Sequence, residues 1–255
     1  MNLDKMKNIH AIVLAAGKGT RMNSKLPKCA IPFLGKPMVK YITDDCKNIG
    51  ISDISVVIGY KKEEIEKALA GEKVNFAVQT ELTGTGSAVK SAKGSLSNLE
   101  GITLIFPGDM PLVGEELISD VIKCHLDNKN QLTVLTTIYD DPKAYGRIYR
   151  ENGLVKKIVE FKDCNEEQKR IKEVNSGLFC VDTKLLFEAL DKVQNNNNQH
   201  EYYLTDIVEI LGKDYRVDTY VVHDQVRLIG FNTMDELKET EAMIRDKNLV
   251  EKYIK

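Results

Sequence analysis

The chain has 255 residues, of which 42% are hydrophobic and 29% charged, which is the composition of a globular protein with a sizeable core. Its 36 Lys and Arg residues nearly balance 38 Asp and Glu residues, for a net charge of −2. Composition therefore does not indicate a nucleic-acid or membrane partner, because such partners usually require an excess of positive charge.

In the first half of the chain, short apolar runs rich in β-branched residues alternate with segments of helical periodicity. The runs predict strands at 9–14, 54–58, 74–78, 102–106 and 132–138, the first two buried on both faces, and the intervening segments predict helices at 37–48, 61–70, 86–96 and 115–127. Strands that alternate with helices imply right-handed crossovers. We therefore predict a Rossmann-like α/β fold, with a mainly parallel sheet and helices on both faces.

The second half has a different pattern. Strands at 147–149 and 154–161 are predicted to pair around the turn Glu151-Asn152-Gly153. A strand at 174–181, a helix at 183–193, a loop of four asparagines at 195–198, a helix at 203–211, a strand at 217–222 and a closing helix at 234–253 follow. Because no linker-like stretch separates the halves, we expect one domain over residues 1–255.

The distribution of apolar residues and cysteines favours a cytoplasmic protein. Residues 1–7 are polar, the apolar run 9–16 is too short for a secretory signal, and no run approaches the roughly 20 apolar residues that cross a bilayer. The five cysteines are widely spread and form no C-x-x-C pair, so we expect reduced thiols.

The first strand runs directly into the glycine-rich loop Ala15-Ala16-Gly17-Lys18-Gly19-Thr20. Small residues let the backbone approach a ligand closely, and successive N–H groups can form an anion-binding concavity. Arg21 and Lys28 add positive charge nearby. The loop therefore predicts phosphate binding, although glycines at this position can also serve only to form a turn.

Two better-known glycine motifs do not fit this loop. The P-loop pattern G-x-x-x-x-G-K-[ST] is absent, and the dinucleotide pattern G-x-G-x-x-G has Met22 in place of its third glycine. Neither an ATPase nor a dehydrogenase is predicted.

The glycine-rich loop resembles the corresponding loop of the sugar nucleotidyltransferase superfamily. The resemblance includes Leu14 before the loop, and Arg21-Met22 and Leu26-Pro27-Lys28 after it. Further motifs narrow the resemblance, namely Gln79, Gly84-Thr85-Gly86, Gly108-Asp109, Tyr145-Gly146-Arg147-Ile148, the run 158–163, the run 173–177 and the run 201–206. In this order they resemble the uridylyltransferase domain of bacterial bifunctional N-acetylglucosamine-1-phosphate uridylyltransferases, over about residues 9–232. The resemblance implies the nucleotide-diphospho-sugar transferase type of fold. It also implies a nucleotide-binding half at about 1–138, a smaller sugar-binding β subregion at about 139–233, and a closing helix at 234–255.

The reaction implied is transfer of UMP from UTP to a sugar-1-phosphate, most closely N-acetylglucosamine-1-phosphate, with release of pyrophosphate. The sugar phosphate is itself a competent nucleophile, so catalysis consists mainly of alignment and charge stabilisation. Mg²⁺ is the implied cofactor. UTP and the sugar phosphate are the implied partners, and the oligomeric state stays open.

The resemblance also assigns roles to residues. It implies that Asp109 and Asn232 bind the metal and that Arg21, Lys28 and Asp109 act in catalysis. The nucleotide-binding set is Leu14, Ala15, Ala16, Gly17, Gly19, Thr20, Gln79, Gly84, Thr85 and Gly108, and the sugar-binding set is Gly146, Glu160, Asn175 and Thr205. Local alternatives exist for four of them. Asp109 can be a turn residue, Asn232 a residue at the start of a helix, Gln79 a polar residue at a strand end and Glu160 a solvated charge.

The sequence departs from the family pattern in two ways. Pro107 stands before Gly108-Asp109, where the family often has an aromatic or polar residue, so the fit on the sugar side stays open. No hexapeptide repeats precede Lys255, so we expect neither acetyl transfer nor the trimer that such repeats provide. Two alternatives to this function stay open. One is the same reaction with another sugar phosphate or nucleotide. The other is a non-catalytic nucleotide-sugar sensor, against which the predicted metal ligands argue, because a protein that only binds has less need of them.

Overall fold

The computed structural model describes residues 8–247 and 249–254. Residues 1–7, where we expect no secretory signal, and positions 248 and 255 of the closing segment lie outside the described residues. The strands are β1 Ile9–Leu14, β2 Pro32–Phe33, β3 Lys36–Pro37, β4 Asp53–Ile58, β5 Asn75–Val78, β6 Ile102–Pro107, β7 Leu132–Ile138, β8 Arg147–Glu151, β9 Leu154–Val159, β10 Glu173–Asp182 and β11 Val217–Val221. The helices are α1 Met38–Asn48, α2 Lys62–Ala68, α3 Thr85–Ser91, α4 Gly114–Asp127, α5 Thr183–Leu190, α6 Asp206–Leu211, α7 Met234–Asp246 and α8 Val250–Tyr253.

Within the described residues, nine strands form one sheet whose main path is β11-β7-β10-β6-β1-β4-β5. The four strands β6, β1, β4 and β5 pair in parallel, whereas β10 is antiparallel to both of its neighbours on this path. The hairpin β8–β9 branches from β10 through the pair Val174 and Arg147. The predicted mainly parallel α/β sheet is confirmed, and strands from both predicted halves contribute to it.

Alternation along β1 shows why helices cover both faces. Ala11 and Val13 belong to the apolar cluster that includes residues of α1, α2 and α4. Ile12 belongs to the opposite cluster, which includes residues of α3, α5 and α6. All three side chains are fully buried, as a continuous apolar run in a parallel sheet predicts. None of the helices in the described ranges is both long enough and apolar enough to span a bilayer.

The predicted turn of the hairpin is present. Asn152 and Gly153 both have positive φ, 51° and 79°, as a two-residue type I′ turn requires. The second strand is shorter than predicted, because β9 ends at Val159 and Phe161–Asp163 form a 3₁₀ turn. Glu160 therefore lies just beyond the strand.

Several helix boundaries were predicted wrongly. Helix α3 ends at Ser91 instead of residue 96, and α5 ends at Leu190 instead of residue 193. Helix α6 begins at Asp206, three residues later than predicted. The Tyr203 and Leu204 carbonyls accept from the N–H groups of Asp206 and Ile207, three residues later, so the chain forms tight turns there before α6 begins. Tyr202 and Leu204 also bond to Thr83, Thr85 and Gly86.

The predicted closing helix is also wrong as a single element. Helix α7 ends at Asp246, and a separate short helix, α8, begins at Val250. Between them, the Leu249 N–H turns back to the Ile244 carbonyl at 2.8 Å. This turn lets Leu249 and Tyr253 pack in the same apolar cluster as Ile244, which a straight helix of this length would not allow.

Candidate functional site

A cleft of about 400 Å³ opens at the carboxyl ends of β1 and β6. The sheet path runs from β1 to β4 and β5 on one side and to β6 on the other, and ligands of open α/β sheets bind at such a reversal. Twelve predicted site residues line it, namely Leu14, Ala16, Gly17, Gly19, Lys28, Gln79, Gly84, Thr85, Asp109, Glu160, Asn175 and Thr205. Arg21 and Asn232 line a neighbouring cavity of about 600 Å³. Ala15 is buried, Thr20 is exposed, and Gly108 and Gly146 support the cleft from behind.

The glycine-rich loop is anchored to its surroundings by the backbone. The Ala15 N–H donates to the Val57 carbonyl at 2.8 Å, and the Tyr60 N–H donates to the Ala16 carbonyl at 3.0 Å. Gly19 has φ +56°, and a Cβ there would lie 2.6 Å from the Cβ of Lys28. Glycine is thus required at this position for Lys28 to pack against the loop.

Asp109 lies beside the loop because two backbones approach closely. The Gly108 N–H donates to the Leu14 carbonyl at 2.9 Å and extends the pairing of β6 with β1. A Cβ at Gly108 would lie 2.7 Å from that carbonyl oxygen and 3.0 Å from the Cys29 sulfur. Any larger residue would separate the strand ends and move Asp109 away from the loop.

Two predicted cationic residues and two predicted metal ligands meet at one point. Lys28 Nζ forms an ion pair with the Asp109 carboxylate and lies 3.4 Å from Asn232 Oδ1. Arg21 Nη2 donates to the same Asn232 oxygen at 2.8 Å. The oxygens of Asp109 and Asn232 therefore converge on a single ammonium group, which is the arrangement that a bound cation needs.

The segment 230–233 delivers Asn232 to this point. Thr233 is the N-cap of α7 and shares a capping box with Glu236, so the Asn232 side chain is not needed as a cap. The Asn232 N–H donates to Glu236 Oε2 at 2.7 Å, and this bond fixes its backbone. A Cβ at Gly230 would lie 3.2 Å from Asp109 Oδ2, so this segment packs directly against Asp109.

Gln79 follows β5 and is buried, with 7% of its surface exposed. Its Nε2 donates to the Gly84 carbonyl at 3.1 Å and to Ser87 Oγ at 2.8 Å. The side chain is thus held by the loop that it precedes, in contrast to a polar residue that merely ends a strand.

The loop 83–86 is hydrogen-bonded to the segment 202–204. The Tyr202 N–H donates to the Thr83 carbonyl at 2.8 Å, and the Gly86 N–H donates to the Tyr202 carbonyl at 2.7 Å. The Thr85 hydroxyl, predicted to contact the nucleotide, accepts from the Leu204 N–H at 3.0 Å. These bonds join the two predicted halves across the cleft.

The predicted sugar-binding residues form a second group. Thr205 Oγ1 donates to Glu160 Oε1 at 3.0 Å, and a Cβ at Gly146 would lie 3.4 Å from Glu160 Oε2. Burial raises the pKa of the Glu160 carboxyl; the Thr205 hydrogen bond opposes this rise, and the charges of Asp163 and Glu201 add to it. The Asn175 N–H donates to the Gly146 carbonyl at 2.9 Å, so one backbone contact joins two members of the group.

Pro107 is accommodated at the end of β6. The N–H of Gly108 points to β1, so the missing N–H of Pro107 falls on the side of β10. On that side the pairing of β10 with β6 ends at Phe179 and Ile105, and a Cβ at Gly177 would lie 3.1 Å from Pro107 Cγ. The register of β10 with its other neighbour, β7, is irregular between Asn175 and Phe179. Proline is tolerated where the pairing with a neighbouring strand has ended, because no ladder bond is lost.

Sequence reasoning missed several residues that form or support the site. Cys29 and Leu82 line the cleft, Ser87 holds Gln79, and Gly230 packs against Asp109. Gly230 and Ser87 are adjacent to motifs that we singled out, so proximity in sequence was an available signal. Cys29 directly follows Lys28 and had the same signal, whereas Leu82 is an ordinary apolar residue until the chain folds.

Comparison with known proteins agrees with this geometry. The nucleotidyl transferase family model matches residues 10–227. The bifunctional protein GlmU of Acholeplasma laidlawii is 42% identical over 242 residues, which are 94% of this chain and 52% of that protein. The chain thus spans about half the length of the curated relatives it matches.

Solved structures share the fold at lower identity. A protein described as a glucose-1-phosphate thymidylyltransferase from Bacillus anthracis, in complex with sucrose, superposes with a TM-score of 0.74 at 20% identity, covering 93% of this chain and 96% of that one. A UDP-glucose pyrophosphorylase complexed with UDP-glucose gives 0.72 at 19% identity, covering 93% and 98%. Both agree with the nucleotide-diphospho-sugar transferase type of fold.

We expect Gly84→Ala to weaken the fold at the cleft. Gly84 has φ +125°, and a Cβ there would lie 2.5 Å from the Tyr202 carbonyl oxygen, so the contact with segment 202–204 must open. The free energy of unfolding in urea should fall by about 1–3 kcal/mol. Gly94→Ala is the matched control, since nothing lies within 4 Å of its Cβ position. Equal effects of the two substitutions would contradict this account of the loop.

Proposed function

Because the chain belongs to the nucleotidyl transferase family, we propose that it transfers UMP from UTP to N-acetylglucosamine-1-phosphate, forming UDP-N-acetylglucosamine and pyrophosphate. The observation that carries the proposal is the convergence of Arg21, Lys28, Asp109 and Asn232 beside the glycine-rich loop. The 42% identity to a GlmU protein over nearly the whole chain supports this substrate pair over others.

In this proposal the nucleotide occupies the half of the cleft formed by residues up to about 138. The base contacts Gln79 and the loop 84–85, while the phosphates lie along the glycine-rich loop, whose N–H groups and small residues favour anions. Arg21 and Lys28 balance the charge of the triphosphate, and Arg21 can form paired contacts with phosphate oxygens.

The residues present fit a magnesium ion. The carboxylate of Asp109 and the amide oxygen of Asn232 are hard oxygen donors, and both already contact the same ammonium group. When bound between them, Mg²⁺ would neutralise phosphate charge and orient the triphosphate. In the structure, Lys28 Nζ contacts both of these oxygens.

The sugar phosphate occupies the other half of the cleft, formed by residues of about 139–233. Glu160 and Asn175 offer an acceptor and an amide to its hydroxyl or acetamido groups, with Thr205 orienting Glu160. Gly146 keeps the space beside Glu160 open.

The chemistry requires alignment and no covalent intermediate. An oxygen of the sugar phosphate attacks the α-phosphorus of UTP in line, and the bond from that phosphorus to the bridging oxygen of pyrophosphate breaks. The cleft also contains Cys29, but burial and the nearby Asp109 charge raise the pKa of its thiol, so it stays protonated at neutral pH and does not serve as a nucleophile.

The decisive experiment measures pyrophosphate release for each nucleoside triphosphate against several sugar-1-phosphates, with and without Mg²⁺. We expect the highest kcat/KM for UTP with N-acetylglucosamine-1-phosphate, and Asp109→Ala should lower turnover roughly 100- to 1,000-fold while circular dichroism stays unchanged. Preference for another pair would identify a different transferase of the same type. No turnover with any pair, together with tight binding of a UDP-sugar, would identify a sensor.

We expect Lys28→Met to affect metal binding and catalysis in opposite directions. Removing the ammonium frees Asp109 and Asn232, so the affinity of the nucleotide-free protein for Mn²⁺ should rise roughly tenfold, measured by electron paramagnetic resonance titration. Turnover should fall, because a phosphate contact is lost. Lys25→Met removes an exposed charge nearby and should change neither quantity. A Lys28 variant with unchanged Mn²⁺ affinity would exclude this competition.

The raised pKa of Glu160 predicts how sugar binding depends on pH. The deprotonated carboxylate accepts from sugar hydroxyls more strongly than the neutral acid does, and its pKa lies above that of an ordinary Glu, about 4.3. As pH falls through this raised pKa, the KM for the sugar phosphate should rise while the KM for UTP stays nearly constant. In Glu160→Gln the sugar KM should be high and independent of pH in this range. A Glu160→Gln profile parallel to that of the natural protein would assign the titration to another group.

A further inference from the structure

The amide of Gln79 is held in one orientation by a small hydrogen-bond network. Its Nε2 lies 3.1 Å from the Gly84 carbonyl oxygen, which can only accept, so the NH₂ end of the amide must face Gly84. The same nitrogen lies 2.8 Å from Ser87 Oγ. Both amide hydrogens are therefore used inside the protein.

Ser87 completes this network in only one way. Its Oγ lies 2.9 Å from the Gly84 carbonyl oxygen, and the single hydroxyl hydrogen is donated there. The lone pairs of Oγ are left to accept from Gln79 Nε2 and from Thr83 Oγ1, which is 3.1 Å away. The hydroxyl thus acts as an acceptor toward Gln79 and stabilises the same amide orientation that Gly84 selects.

The oxygen of the Gln79 amide is left at the opposite end of the amide group from these bonds. It accepts no hydrogen bond from any residue that the structure describes. Among those residues, the only side-chain oxygen or nitrogen that is both fully buried and without a partner is Asn130 Oδ1, so Gln79 Oε1 is not fully buried. Gln79 Oε1 is therefore accessible, and Gln79 lines the cleft. The base site presents a fixed hydrogen-bond acceptor.

A fixed hydrogen-bond acceptor distinguishes uracil from cytosine. Uracil carries a hydrogen on N3 and can donate to Oε1, whereas neutral cytosine has a lone pair on N3, which Oε1 would repel. If the amide rotated by 180°, its NH₂ would suit cytosine instead. The orientation of this one amide therefore decides which base is accepted.

We propose that Ser87 is a specificity-determining positioning residue, which selects uracil over cytosine by holding the Gln79 amide with its oxygen toward the base. The proposal rests on the proposed function in one respect, namely that a nucleotide base binds beside Gln79. It predicts no discrimination between uracil and thymine by this contact, since both carry the N3 hydrogen.

The test compares Ser87→Ala with Ser91→Ala by calorimetric measurement of the dissociation constants of UTP and CTP. Ser91 lies one turn later on α3, and its Oγ donates to the Ala88 carbonyl at 2.7 Å, so Ser91→Ala loses an equivalent bond without touching Gln79. We expect the preference for UTP over CTP to fall about 3- to 10-fold in Ser87→Ala, the value of one hydrogen bond, and to be unchanged in Ser91→Ala. The relative affinities of dUTP and dTTP should be the same in all three proteins.

Two further variants guard against a trivial loss of structure. Ser87→Cys keeps the packing but offers a poor acceptor, so it should lose selectivity as Ser87→Ala does. Ser87→Thr keeps the hydroxyl and should retain selectivity. An unchanged UTP preference in folded Ser87→Ala or Ser87→Cys would overturn the proposal, as would a natural protein that binds both nucleotides equally. Because binding is measured without turnover, absence of catalysis would count against the proposed function alone.

Discussion

The pairing of β1 with β6 is the constraint on which the site depends. These strands are parallel neighbours, and Leu14 is in register with Pro107, so the chain leaves both strands at the same edge of the sheet. The glycine-rich loop follows one strand and Asp109 follows the other. The bond from the Gly108 N–H to the Leu14 carbonyl holds the two exits together, and the absence of a side chain at Gly108 permits that bond.

Burial of apolar neighbours places the charged groups. Met22 and Phe231 are each almost completely buried and belong to one apolar cluster, in which the rings of Phe33 and Phe231 are 5.1 Å apart. Arg21 precedes Met22, and Asn232 follows Phe231. The hydrophobic effect acting on Met22 and Phe231 thus brings two polar residues together that are 211 positions apart.

The two sides of the cleft are built differently. At the end near Lys28, the ammonium group of Lys28 and the carboxylate of Asp109 form an ion pair, and a charged ligand that enters can separate them. At the Glu160 end, a half-buried carboxyl group has only Thr205 as a side-chain hydrogen-bond donor among the described residues, so it keeps acceptor capacity for a ligand. The bonds between segment 83–86 and segment 202–204 span both sides and join the two halves of the cleft.

The sequence by itself determined the class of fold and the composition of the site. Short apolar runs between segments of helical periodicity indicated the strands of a mainly parallel sheet, and ordered motifs identified a family. Most of the residues that its pattern assigns line one cleft, and Arg21 and Asn232 line the cavity beside it. The positions of helix ends could not be predicted from it: the chain makes tight turns at Tyr203 and Leu204 before α6 begins, and the closing segment folds back so that Leu249 and Tyr253 share an apolar cluster. Only the tertiary structure decided that Lys28 occupies the place between Asp109 and Asn232, and that Ser87 orients Gln79. Hydrogen bonds of that kind depend on distances between separate elements, and no local pattern of residues records them.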